Sequence, residues 1–193
     1  MKNNEKFFYK VRAIDLDALH AETPGLDSAR AARLIYLNKT CFNGLHRVNR
    51  AGKFNVPFGG YANPLICDQE NILAVSCALK KVALYNQSFD ATAADAVKGD
   101  FVYFDPPYLP LSPTSNFTAY DSAGFGWTHH VALFDTASAL KKRGVHVLIS
   151  NSANERLIKL WKSGGFKVET IQAARSINAS AGGRGKIAEL LIS

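Results

Sequence analysis

Apolar positions along the chain follow two rhythms. Up to about residue 80 they recur mainly at helical spacing, and beyond it short apolar runs alternate with helical stretches. Phe7, Phe8, Tyr9, Ile14, Leu16 and Leu19 outline a helix within 6–20 that leads into a turn at Thr23-Pro24-Gly25. Asp27-Ser28 offers a cap for a helix reaching about Lys39, where Leu34, Ile35 and Leu37 among small alanines predict close packing. Two strand-like runs then flank Arg50-Ala51-Gly52, a hairpin turn with glycine where φ must be positive. Asp68 caps a helix to about Lys81, with Ile72, Leu73, Val75 and Leu79 expected on its buried side.

The second rhythm predicts strands at 82–85, 101–104, 145–149, 166–171 and 187–192. Between them lie a helix capped by Thr128 and a helix over about 153–163 that stops at Gly164-Gly165. In the first of these, Val131, Leu133, Phe134, Ala137 and Leu140 supply the apolar face, and Lys141, Lys142 and Arg143 complement the C-terminal dipole before Gly144. Strands alternating with helices predict an α/β protein with a largely parallel sheet, the two closing strands pairing antiparallel. Residues 109–127 are left as a long loop, and loops of that length usually serve as lids or binding elements.

Composition narrows the function classes. With 193 residues, 47% hydrophobic and 20% charged, the chain has the make-up of a folded domain, not of a disordered segment. A net charge of +7 favours a polyanionic partner. Cys41, Cys67 and Cys77 are odd in number and lack metal spacing, so they read as reduced thiols. No metal site and no membrane-spanning run is expected, and the start at Met1 lacks a signal-peptide pattern. His129-His130, in the first turn of a helix, reads as a solvated pair.

The chemistry concentrates at Asp105-Pro106-Pro107-Tyr108, delivered by the apolar run Phe101-Val102-Tyr103-Phe104. Each proline fixes its own φ and lacks an N–H, so the neighbouring carbonyls point in set directions. A carboxylate beside a fixed carbonyl makes a paired acceptor for one –NH2 group. An exocyclic base amine is a poor nucleophile because its lone pair is delocalised, and gripping both hydrogens favours a pyramidal nitrogen. Tyr108 offers a flat face for a planar base. The bland alternative is a proline turn that begins with an aspartate.

Residues 40–59 mix Arg47, Arg50 and Lys53 with Asn43, Asn49 and Asn55, and add Phe42, Phe54 and Phe58. Arginine and asparagine read guanine and adenine edges bidentately, basic groups serve phosphates, and an aromatic ring can wedge into a base stack. A polar surface hairpin with its own aromatic anchors is the competing reading.

Taken in order, these stretches resemble the Dam-type (D12 class) DNA adenine N6-methyltransferases, which use S-adenosylmethionine. The resemblance is carried by Tyr36-Leu37-Asn38, the run from Phe42 to Asn49, the run from Gly52 to Gly59, and Asp105-Pro106-Pro107-Tyr108. It continues through Asn116-Phe117-Thr118-Ala119-Tyr120, Leu148-Ile149-Ser150-Asn151, Arg175-Ser176-Ile177, Arg184 and Glu189-Leu190-Leu191. It implies a Rossmann-like S-adenosylmethionine-dependent methyltransferase sheet over 67–193 and a helix-plus-hairpin target-recognition region over 1–66. It implies double-stranded DNA as partner, methylation of adenine in GATC, and a cytoplasmic, bacterial or phage-type setting.

By the same resemblance Asp105, Pro106, Pro107 and Tyr108 are catalytic, while Ser88, Phe89 and Asp105 contact the cofactor. Arg47 reads a guanine, Leu45 and Pro57 touch a thymine methyl, Asn43 fills the place of the flipped adenine, and Phe42 intercalates. Asn49, Arg175 and Arg184 join the DNA-binding set, and the loop from Asn116 to Tyr120 orders over the flipped base. Flipping costs on the order of a few kcal/mol.

One departure stands against the matches. The family's glycine-bearing Phe-x-Gly-x-Gly loop and its ribose-binding acidic residue have no counterpart here. The expectation is therefore a partial sheet whose first strands are missing, from an enzyme lacking its N-terminal cofactor-binding segment, with unpaired edges and bared apolar faces. A catalytically inactive, truncated DNA-binding remnant is the alternative function. An amine methyltransferase acting on RNA or a protein amide is a third reading, against which Asp105 and the hairpin argue.

Overall fold

The computed structural model describes residues 3–14, 27–111, 125–174 and 186–193, grouped into two compact units, Met1–Leu84 and Tyr85–Ser193. In the first unit, helix α1 (Glu5–Arg12) starts at Asn4, whose side chain accepts from the Phe7 N–H at 2.9 Å. Its last carbonyls, on Val11 and Arg12, accept from the Arg33 guanidinium of α2 (Asp27–Thr40). A cation placed at a helix C-terminus also opposes the macrodipole. Phe8, Tyr36, Leu37, Cys41, Phe54, Val56 and Ile66 form this unit's core. Only the end of α2 is buried, so Leu34, expected to pack closely, stays exposed.

The hairpin is present in reduced form. Its runs meet at two isolated antiparallel bridges, Val48 with Phe54 and Cys41 with Phe58. Gly52 takes φ +72° at the turn, as its position predicts. Helix α3 (Gln69–Leu79) is capped as expected, Asp68 accepting from the Asn71 N–H. Its expected buried side is not found: α3 buries no residue, and Leu73 is 60% exposed. Residues 82–85 form no strand, and Leu84 is 74% exposed. Apolar residues form a strand only when a neighbouring strand takes up their N–H and C=O groups, and no described strand lies beside these.

The second unit holds α4 (Phe89–Ala93), β1 (Phe101–Phe104), α5 (Trp127–Lys142), β2 (His146–Ser152), α6 (Glu155–Ser163), β3 (Val168–Ala174) and β4 (Lys186–Ile192). The sheet order is β1-β2-β4-β3. β1 and β2 run parallel across α5, while β4 runs antiparallel to both β2 and β3. The closing pair is antiparallel as expected, but the described sheet is mostly antiparallel, not largely parallel. The reason is that β4 inserts between β2 and β3 instead of adding at the edge.

Leu133, Ala137 and Leu140 of α5 pack on Phe104, Val147, Ile149, Leu190 and Ile192 of the sheet, with Leu157, Trp161 and Phe166 completing the core. Gly126 caps α5 and Thr128 lies inside its first turn, so the cap falls two residues earlier than the threonine suggested. His129 Nδ1 accepts from the Gly126 N–H at 3.2 Å, the bond that a glutamate or glutamine at this position makes in a capping box. Arg143 does more than complement the dipole: it donates to the carbonyls of Ala93 and Ala94 and so ties α4 to the end of α5.

Candidate active site

β1 ends where the prolines begin. Its last paired residue, Phe104, sits opposite Ile149 of β2, and one position further come Asp105 and Ser150. Pro106 and Pro107 have no N–H, so the backbone ladder cannot continue on this side. Side chains of β2 and the cap of α6 replace it. Ser150 Oγ donates to Asp105 Oδ1 at 2.8 Å, and Asn151 Oδ1 accepts from the Leu109 N–H at 3.0 Å. Ser152 Oγ donates to the Leu109 carbonyl, and Asn154 Nδ2 donates to the Pro110 carbonyl at 3.0 Å. Ser150, Asn151 and Ser152 are buried, so these bonds are shielded from water.

This run was missed as a set of site residues in the sequence. The signal was available: a Ser-Asn-Ser-x-Asn string follows an apolar strand, where a buried strand end would otherwise continue apolar.

Around the tetrapeptide the side chains take different positions. Asp105 is exposed, Tyr108 is half-buried, and the Tyr108 hydroxyl donates to Glu189 Oε2 at 3.3 Å. Burial, with the nearby Glu189 and Asp105 carboxylates as smaller contributors, raises the Tyr108 phenol above its ordinary range, so it stays a donor. Tyr103 Oη donates to Ser150 Oγ at 2.9 Å.

A cleft of about 550 Å3 opens here, lined among others by Phe89, Phe101, Phe104, Asp105, Pro107 and Phe125. Phe89 stands edge-on to Phe104 at 6.3 Å and to Phe125 at 6.2 Å. Ser88 is not among the lining residues; it begins α4, its carbonyl accepting from Thr92. Of the three residues expected to contact the cofactor, the structure thus places Phe89 and Asp105, but not Ser88, along this cleft.

The histidine pair corrects its reading. His129 is exposed and stacks on Phe125, but His130 is fully buried with neither ring nitrogen bonded among the described residues. Desolvation, then the charge of His129, pushes His130 down to about 4, so it is neutral near pH 7. Neighbouring positions on a helix point about 100° apart, which is why one ring faces water and the next the core.

In the first unit the recognition candidates lie along one stretch. Asn43 takes φ +54° and Gly44 φ +61°, two successive left-handed residues. The Asn43 N–H donates to Tyr61 Oη at 3.0 Å, and the Phe42 N–H donates to the Pro57 carbonyl at 2.9 Å. The turn is thereby pinned and Phe42 presented to solvent, 44% exposed. Pro57 is exposed and Leu45 half-buried.

Arg47 Nε donates to Asn55 Oδ1 at 2.7 Å and its Nη2 to the Asn55 carbonyl at 3.1 Å. Two N–H groups hold the guanidinium flat, and three remain for a ligand. Asn49 has a local duty: its Oδ1 accepts from the Ala51 and Lys53 N–H groups, each at 3.0 Å, shaping the turn. Asn116, Tyr120, Arg175 and Arg184 lie outside the described residues.

Among the described residues no cluster of three or more histidine, cysteine, aspartate or glutamate side chains could hold a metal ion. No described helix is long and apolar enough to cross a membrane. Cys41 is buried, with its thiol pushed up by desolvation, and serves packing.

Comparison with known proteins identifies the family. Residues 1–177 match the profile of the D12 class N6 adenine-specific DNA methyltransferases. The chain is 38% identical to the type II methyltransferase M1.LlaDCHI of Lactococcus lactis subsp. cremoris, over 99% of this chain and 66% of that protein. It is 40% identical to the type II methyltransferase M.MjaIII of Methanocaldococcus jannaschii, over 99% and 65%. Against the DNA adenine methylase of Vibrio cholerae it is 39% identical over 84% and 58%. The chain thus spans between 58% and 66% of the length of these relatives. With a profile matching most of its length, the chain belongs to the D12 class N6 adenine-specific DNA methyltransferase family.

Proposed function

We propose that this chain transfers a methyl group from S-adenosylmethionine to N6 of an adenine flipped out of double-stranded DNA, within GATC. The observation that carries the reading is the exposed Asp105 carboxylate, fixed at the end of β1 beside the Pro106–Pro107 backbone and an aromatic cleft. Asp105 and the neighbouring backbone carbonyl would accept the two N6 hydrogens and turn the nitrogen lone pair outward. Tyr108 would stack on the base, while the half-buried ring keeps water away. Bound S-adenosylmethionine supplies an electrophilic sulfonium methyl. Phe89, Phe104 and Phe125 fit the flat adenine ring of such a molecule, since they line one cleft with Asp105. Among the described lining residues Asp105 is the single carboxylate. In this reading the sheet is a partial Rossmann-like methyltransferase sheet, and the work is done on DNA in the cytoplasm.

Target recognition falls, in the same reading, to residues 1–66. Arg47 would read a guanine with its remaining N–H groups, Leu45 and Pro57 would touch the thymine methyl, and Phe42 would enter the stack. Asn43 would occupy the place of the flipped adenine, and the loop bearing Asn116 and Tyr120 would cover that base. Asn49, Arg175 and Arg184 would add DNA contacts.

The test is Asp105→Ala. Transfer of labelled methyl to a GATC duplex should fall at least about a hundredfold, with duplex affinity within a factor of about two because in this reading Asp105 would face a base amine and not a phosphate. Transfer that survives the substitution sinks the assignment.

A further inference from the structure

Asp105 is exposed, and an exposed carboxylate turns freely about its side-chain bonds unless something holds it. Here one hydroxyl does. A carboxylate can only accept, so the 2.8 Å bond to Asp105 Oδ1 uses the one proton of Ser150. Ser150 Oγ must then be the acceptor in its 2.9 Å bond to Tyr103 Oη, and the phenol the donor. The direction of both protons is therefore set: Tyr103 to Ser150, Ser150 to Asp105.

We propose that Ser150 is the positioning residue of the site, fixing Asp105 Oδ1 and leaving Oδ2 as the acceptor for the target amine. This rests on the reading of Asp105 given above. Ser150 is suited to the task because its backbone is held on β2, paired with Leu191 of β4, and its side chain is buried. The carboxylate is thus referenced to the sheet and not to the exposed loop that follows it. Its neighbours Asn151, Ser152 and Asn154 reference the main chain of Leu109 and Pro110 in the same way, and their bonds go to backbone atoms, not to the Asp105 carboxylate. Ser150 alone in this run acts on the carboxylate. Tyr103, as donor, keeps the serine rotor from turning its proton elsewhere.

The test compares Ser150→Ala, Ser150→Thr and Tyr103→Phe. If Ser150 positions Asp105, Ser150→Ala lowers kcat about 10- to 100-fold while KM for DNA and for S-adenosylmethionine stays within a factor of about two. Ser150→Thr, which keeps the hydroxyl, recovers most of the rate, and Tyr103→Phe loses less than Ser150→Ala. Unchanged kcat in Ser150→Ala, or no recovery with threonine, overturns the proposal.

A second readout needs no turnover. The Asp105 carboxyl carbon resonance, assigned by its loss in Asp105→Asn, should move in Ser150→Ala and return in Ser150→Thr. If the parent chain transfers no methyl, the proposed function fails, and this resonance alone decides the role of Ser150: a signal that Ser150→Ala leaves in place overturns it.

Discussion

His130 shows how one residue writes a pH dependence into the whole chain. Its folded value is pushed from 6.5 down to about 4, so between those limits the unfolded chain takes up a proton that the folded chain refuses. Stability is therefore fully present above pH 6.5 and declines as the pH falls towards 4. With allowance for solvent screening the effect is on the order of 2 kcal/mol. His130→Leu should flatten this part of a melting-temperature profile, and an acid limb of the same steepness in the variant would assign it to other groups.

Arg47 makes the matching point for recognition. Asn55 fixes its guanidinium before any ligand arrives, so the cost of ordering a long side chain is already met. Arg47→Ala should cost about 1–3 kcal/mol of discrimination at the guanine it is proposed to read. Asn55→Ala should lose part of that while leaving the arginine charge in place. Competition binding with a duplex altered at that one base pair measures both, and equal loss on all duplexes would make Arg47 a phosphate contact.

Among elements, the base of the hairpin, where Gly59 follows the Cys41–Phe58 bridge, tolerates change less than the turn at its tip. A Cβ on Gly59 would stand 2.6 Å from the Cys41 carbonyl and 2.6 Å from the Tyr61 ring, and the carbonyl cannot swing aside. Gly59→Ala should destabilise by about 1–3 kcal/mol. At Gly52 nothing lies within 4 Å and only the positive φ matters, so Gly52→Asn should be nearly neutral. Melting of the two variants side by side checks this, and equal losses would refute the steric account.

Elements also mark how far the sequence could be read. β1 falls on residues 101–104 because a turn, an aromatic run and a proline bound it by local chemistry alone. Asp68 caps α3 for the same local reason. What failed was non-local: the burial of α3, the strand at 82–85 and the sheet direction each depend on a neighbour whose identity lies elsewhere in the chain. Asp105 was legible because two prolines are rare at a strand end; Ser150 was not, because its role exists only once β2 lies beside β1.

At the scale of the whole molecule, the candidate residues fall in two units. Met1–Leu84 carries the hairpin with Phe42 and Arg47, and Tyr85–Ser193 carries the sheet with Asp105 and Ser150. β1 lies at one edge of the described sheet, with Phe101 64% exposed, while the opposite face of the strand is seated on the core through Phe104. Among the described residues the Asp105 carboxylate is therefore held from the β2 side, by Ser150. In the proposed function, the +7 charge would add a salt-sensitive, sequence-independent attraction for DNA.

The proposed function is methylation of adenine in a defined DNA site by this chain. Its most direct measurement is transfer from labelled S-adenosylmethionine to a GATC duplex by the 193-residue chain, beside a duplex with the site scrambled. The account predicts incorporation confined to GATC. Absence of incorporation, or equal incorporation into the scrambled duplex, would contradict it.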